Sequence, residues 1–179
     1  IERDSIEVVA GVVKGCTTGA PIGLVIRNKD YTIDSMPDLS RPRPGHADLT
    51  GSLKYNQGIR PVLERASARG TAMRVAIGNI AKQLLAHFNI ACVSHVTRIG
   101  RVSMKSNDLS FQDIQSAVVD SPLRCVRPDQ EEAFRKEIDC ALENKDTLGG
   151  EVEVRMQGVP PGIGSCMHPD RKIDARIAG

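Results

Sequence analysis

The chain has 179 residues and a formal net charge of +2 at pH 7, with 40% apolar and 26% charged residues. That balance excludes a disordered segment and fits one soluble globular domain, read here as a single partial domain over residues 1–179. The longest apolar runs, VAGVV and GLVI, are far shorter than the roughly 20 residues a membrane-crossing helix needs. No signal-peptide pattern opens the chain, so a cytoplasmic location without a membrane partner is expected.

With three Phe, two Tyr and no Trp, the core must rest on closely packed Val, Ile, Leu, Ala and Met. The five cysteines, at 16, 92, 125, 140 and 166, form no CxxC pair and no zinc-type Cys/His spacing, which predicts reduced thiols and no metal site. The chain opens on IERDSIEVVAGVV without an initiating Met and stops at DRKIDARIAG within a charged, helix-like pattern. A piece of a longer protein is expected.

In chain order, IEVVAGVV and PIGLVIRN read as two β-branched strands joined by the turn-rich KGCTTGA, a hairpin. From Ile33 to Gly58 three prolines and several Gly and Asp residues defeat both periodicities, which predicts a long loop. Loops of more than about 12 to 15 residues within a domain tend to carry function. Met73, Ile77, Ile80 and Leu84 then recur at helical spacing, predicting a helix from Pro61 to His87 with that stripe buried. Small residues, among them Ala66, Ser67, Ala68, Gly70 and Ala72, leave room along its first half. IACVSHVTRIG reads as a strand. PDQEEAFRKEIDCALENK reads as a helix with Asp129 at its N-cap and Phe134, Ile138, Ala141 and Leu142 as its buried face, and EVEVRM alternates as a strand. No internal repeat appears.

Positive charge is concentrated in residues 41–76, which hold six arginines against Asp48 and Glu64. Arg65 and Arg69 are four apart and share a helix face, while Arg43 and Arg60 lie in the loop leading into it. Such a group either fans out into water or surrounds a polyanion, whose phosphates and carboxylates match the guanidinium fork. Ser67 adds a hydroxyl donor near the arginines. His46, in RPGHAD, is a candidate proton donor or acceptor beside Arg43, the alternative being a loop histidine bonded to Asp48. His87, His95 and His168 read as structural or exposed.

The stretches RPGHADLTGSLKY, RASARGTAMRVAIGNIAKQLL, GGEVEVRMQGVPPGIGS and DRKIDARIA, with TTGAPIGLVIRNKD before them, resemble the chorismate synthase family across almost the whole chain. The resemblance implies an α+β fold, a β-α-β sandwich of antiparallel sheets packed around central helices, present here in part. It also implies a lyase that converts 5-enolpyruvylshikimate 3-phosphate to chorismate and phosphate by 1,4-anti elimination, the last step of the shikimate pathway. Reduced FMN is the implied cofactor, with NADPH a candidate reductant, and the full-length protein is expected to be a homotetramer. By position, Arg43 and Arg69 match substrate-binding residues, Arg65, Ala66 and Ser67 match the FMN-contacting segment, and His46 matches the family's proton-supplying histidine.

Gly70 stands where the family has Glu, which removes an acid able to orient Arg69 and places Gly inside a helix at a cost of about 1 kcal/mol. The family's opening Gly-Glu-Ser-His-Gly segment and its second half are missing, so this piece alone is expected to be inactive. Two rival readings are a catalytically degenerate family member and a non-enzymatic anion or nucleic-acid binder. The second is disfavoured by scarce aromatic residues for base stacking and by the small net charge.

Overall fold

The computed structural model describes residues 4–28, 35–65 and 68–178. The chain divides into two compact units, Ile1–Ala81 and Lys82–Gly179.

In the first unit, β1 (Ile6–Ala10) pairs antiparallel with β4 (Gly23–Ile26), Ile6 opposite Ile26 and Val8 opposite Leu24. This is the expected hairpin. Its connection is itself folded, because β2 (Val12–Val13) pairs with β3 (Cys16–Thr17) around Lys14 and Gly15. Both turn residues have positive φ, 49° and 78°, as a two-residue turn matched to strand twist requires. Arg27 and Glu7 form an ion pair across the ribbon.

The predicted loop is partly helical: α1 (Asp48–Tyr55) occupies its later part. Pro and Gly density ahead of Asp48 masked it, although no proline lies between residues 45 and 60. The helix ends at Asn56, in the left-handed region at φ 49°, whose N–H returns to Ser52 O. Following it, α2 (Ile59–Arg65) packs against α1 at Gly51, where an added Cβ would lie 2.4 Å from Val62 Cγ1. Only Gly allows the two helices so close. Ile59 and Val62 are buried there.

The next described helix is α3 (Ala68–His87). The predicted stripe is only half covered: Met73 and Ile80 are partly buried, whereas Ile77 and Leu84 are 55% and 61% exposed and Ala76 is buried instead. The spacing reveals an apolar face but not what covers it.

In the second unit, β5 (Ala91–Ile99) is central in an antiparallel sheet between β6 (Val102–Ser103) and β7 (Gly150–Gln157). Two helices, α4 (Phe111–Ala117) and α5 (Pro128–Glu143), pack against it. Ser110 caps α4 reciprocally with Asp113, hydroxyl to backbone and carboxylate to backbone. Around Phe134 and Ile114, both fully buried, gather Met104, Cys125, Val93 and Val118. The N-cap of α5 is Arg127 with Pro128 in the first turn, so Asp129 lies inside the helix rather than capping it. Leu142, read as buried, is exposed because it falls off the edge of the Phe134 face. A short 3-10 turn (Pro169–Arg171) and α6 (Ile173–Ala178) complete the unit.

The alternation of EVEVRM is realised in β7 with Val152, Val154 and Met156 exposed and Glu153 and Arg155 half-buried. Glu153 lies opposite His95 on β5. His95 therefore has an acid and an arginine beside it, brought by strand pairing across a sequence separation that linear proximity could not reveal. All five cysteines are free thiols. No helix among the described residues is long and apolar enough to cross a membrane.

Candidate anion-binding site

The motif Arg43-Pro44-Gly45-His46-Ala47-Asp48 folds as a turn running into a helix. His46 N–H donates to Arg43 O at 3.4 Å, and Gly45 has φ 71°. Pro followed by Gly with positive φ is the residue order of a type II turn: proline presets the first central angle and glycine supplies the second.

Asp48, the first residue of α1, reaches back over this turn. Its Oδ2 accepts from Arg43 backbone N–H at 2.9 Å and from Nε at 3.0 Å, and its Oδ1 accepts from Nη2 at 3.2 Å. The carboxylate side chain is 1% exposed and the guanidinium side chain 52% exposed. A buried acid thus fixes one edge of a half-exposed arginine, a bidentate pairing with specific geometry. Hydrogen bonding from Arg43 holds the Asp48 carboxyl below its ordinary range, and the same bonds raise the Arg43 guanidinium further. Both groups stay charged at neutral pH.

His46 is exposed, with Nδ1 3.0 Å from Pro44 O. A carbonyl only accepts, so Nδ1 carries the hydrogen and Nε2 is the basic nitrogen of the neutral ring. The pairing of His46 with Asp48 that the sequence left open does not occur, because Arg43 occupies the carboxylate. Asp48 is the partner of Arg43 that sequence reasoning missed; its signal was a lone acid five positions after an arginine, across a Pro-Gly turn.

The structure brings Arg43 and His46 together on one turn. Arg60 is committed elsewhere: Nε donates to Pro37 O at 3.0 Å, Nη2 also reaches that carbonyl, and Nη1 lies 3.2 Å from Met36 Sδ. It anchors the segment ahead of the motif rather than joining a convergent cluster. By backbone, Arg65 ends α2 and Arg69 lies in the first turn of α3. Ala66 and Ser67, and the side chains of Arg65 and Arg69, lie outside the described residues.

A family model described as chorismate synthase matches residues 1–179. The chain belongs to the chorismate synthase family. It is 43% identical over 193 residues to a chorismate synthase from Brevibacillus brevis, covering 99% of this chain and 50% of that protein. It is 46% identical over 190 residues to one from Alkaliphilus metalliredigens, again covering 99% and 50%. A crystal structure of chorismate synthase superposes with a TM-score of 0.82 at 40% identity, covering 98% of this chain and 51% of that one. The chain spans about half the length of the curated relatives it matches. Its mixed helices and antiparallel sheets are those of the family fold, present in part.

Proposed function

We propose that this chain is one part of a lyase that converts 5-enolpyruvylshikimate 3-phosphate to chorismate and phosphate by 1,4-anti elimination. The observation that carries the reading is the Arg43–Asp48 clamp, which presents a fixed cation and an exposed imidazole from one turn. The substrate bears one phosphate and two carboxylates, so a site for it needs oriented cations. Arg43 and Arg69 grip those anions, and Asp48 positions Arg43. Charge that builds on the departing phosphate is stabilised by arginines already in place, and more so in the transition state than in the ground state. His46 supplies a proton close to the reacting groups.

The segment Arg65-Ala66-Ser67 suits reduced FMN by its donor set: a guanidinium and a hydroxyl for the phosphate, beside small side chains that leave room for a flat ring. Arg65 and Ser67 would hold the phosphate. When bound, reduced FMN supplies the electron-rich ring that the elimination requires without net redox change.

The whole chain is one partial domain in this reading, inactive without the rest of the protein, which works in the cytoplasm as a homotetramer with NADPH as a candidate flavin reductant. Gly70, which removes the family's acid beside Arg69, supports a second reading as a catalytically degenerate member. Intact mass, followed by reduced-FMN titration with and without 5-enolpyruvylshikimate 3-phosphate, tests the proposal. Flavin binding tightened by substrate in a protein well above 19.4 kDa is the expected result. Full-length protein that binds neither ligand would overturn it.

A further inference from the structure

A buried constellation lies in the second unit, outside the anion site. His95 is 1% exposed, in the middle of β5 and opposite Glu153 on β7. Its Nε2 lies 3.2 Å from Glu153 Oε2 but out of line for a hydrogen bond, and neither ring nitrogen has a hydrogen-bond partner among the described residues. The same Oε2 is 3.1 Å from Arg155 Nη2. From there the guanidinium reaches the segment ahead of α4, donating through Nη1 to Leu109 O at 2.5 Å and through Nη2 to Ser106 O at 2.6 Å. Leu109 is followed by the Ser110 cap of α4, so the arginine ties the start of that helix to the sheet.

We propose that His95, Glu153 and Arg155 form a proton-operated latch, in which protonation of His95 releases the Arg155 grip on the 106–109 segment and loosens α4 from the sheet. In the neutral state Glu153 Oε2 stands between the ring and the guanidinium, close to both and hydrogen-bonded to neither. A charged imidazole makes a second claim on that oxygen, in a place where each unit of charge is poorly solvated. A Glu153 that turns to align with the charged ring moves away from Arg155, which leaves that guanidinium facing a new positive charge that repels it from its place on the two carbonyls.

Among the described residues, the charged groups whose fields reach the ring are Glu153, which favours its protonation, and Arg155, which opposes it; α4 and α5 bring none, and the nearby Arg124 is turned to the carbonyl of Ser94. Burial is the largest influence and holds the ring below its ordinary value of 6.5. Burial pushes the Glu153 carboxyl up, but Arg155 and Ser106, with His95 adding to them, outweigh this and keep it ionised. Because the folded state resists the proton and the unfolded chain accepts it, the stability tied to the neutral ring is complete above pH 6.5 and is lost as pH falls below it. One linked proton changes the opening equilibrium by up to about tenfold per pH unit.

The test is hydrogen exchange by mass spectrometry on the full-length protein between pH 7.5 and 5, corrected for the intrinsic pH dependence of exchange. It is combined with the titration of the His95 ring C–H resonance. In the wild type, protection of 106–117 is expected to fall up to about tenfold per pH unit below the onset, while α5 keeps its protection. His95→Gln, which cannot titrate, removes that pH dependence, and Arg155→Lys, which keeps charge but loses one carbonyl grip, lowers protection of the same segment at every pH. If His95→Gln does not fold, the wild-type comparison is sufficient: coincidence of the ring titration with the loss of protection supports the latch. A ring that does not titrate in this range, a midpoint unrelated to the loss of protection, or equal loss throughout the unit would overturn it.

Discussion

Replacing Gly70 tests whether the first turns of α3 are as open as the structure places them. No heavy atom among the described residues lies within 4 Å of where its Cβ would stand, and its φ is not in the positive region. Gly70→Ala therefore removes the excess backbone freedom of the unfolded chain without a clash, stabilising the helix by about 1 kcal/mol. Gly70→Glu gains nearly as much by propensity, and a Glu four residues before the exposed Arg74 adds roughly 0.2 to 0.5 kcal/mol at low salt as a helical ion pair. For a chain of this size each kcal/mol corresponds to about 2–4 °C in Tm, so Ala raises Tm by about 2–4 °C and Glu by somewhat more. The assay is thermal and urea unfolding followed by circular dichroism, with the two variants compared at low and high salt. Salt should remove the difference between Glu and Ala while leaving the Ala gain. Destabilisation by Ala would show that the site is crowded or non-helical and would refute the reasoning. A gain with Glu alone would refute the propensity argument.

Phe134 is fully buried between α5 and the sheet, so Phe134→Ala should cost about 3–5 kcal/mol in urea unfolding of the second unit. A cost below about 1 kcal/mol would mean that the core has collapsed around the vacancy or is not built on that ring. Asp48→Asn should weaken binding of 5-enolpyruvylshikimate 3-phosphate to the full-length protein, read by calorimetry, because one edge of Arg43 loses its charged anchor. The same variant tests linkage. The Asp48 carboxyl is held below its ordinary 3.8, so its stabilising contribution is complete above that pH and is lost as pH falls through the lower folded value. Asp48→Asn should lack that acid limb, and an identical acid unfolding profile for both proteins would count against the clamp. His46→Gln, in the full-length protein, should lower turnover by about 10²–10⁴-fold while 5-enolpyruvylshikimate 3-phosphate still binds. Unchanged turnover would remove His46 from the chemistry.

Much of the local order was legible in the residues. β-branched runs flanking a Gly-rich turn specified the β1–β4 hairpin, alternation specified β5 and β7, and the spacing around Phe134 specified α5. The arginine-rich segment and RPGHAD mark the candidate site in the residues themselves. These features depend on neighbours close in sequence, where periodicity and turn chemistry act directly.

Less legible were features made by contacts between distant residues or between groups across a turn. Asp48 reads as an ordinary surface acid until the Pro-Gly turn carries Arg43 back over it. α1 was hidden because the prolines ahead of it outweighed a short, weakly amphipathic pattern. Met73, Ile77, Ile80 and Leu84 announce an apolar face, yet the half covering of that face depends on which surfaces the fold brings against it. His95 had no charged neighbour in sequence, and antiparallel register placed Glu153 opposite it from 58 positions away. Sequence alone determined most of the strands and helices and the motif that gathers Arg43 and His46, because those preferences are local. Tertiary structure decided which charges become partners, because burial and register, not proximity along the chain, set where a carboxylate meets a cation.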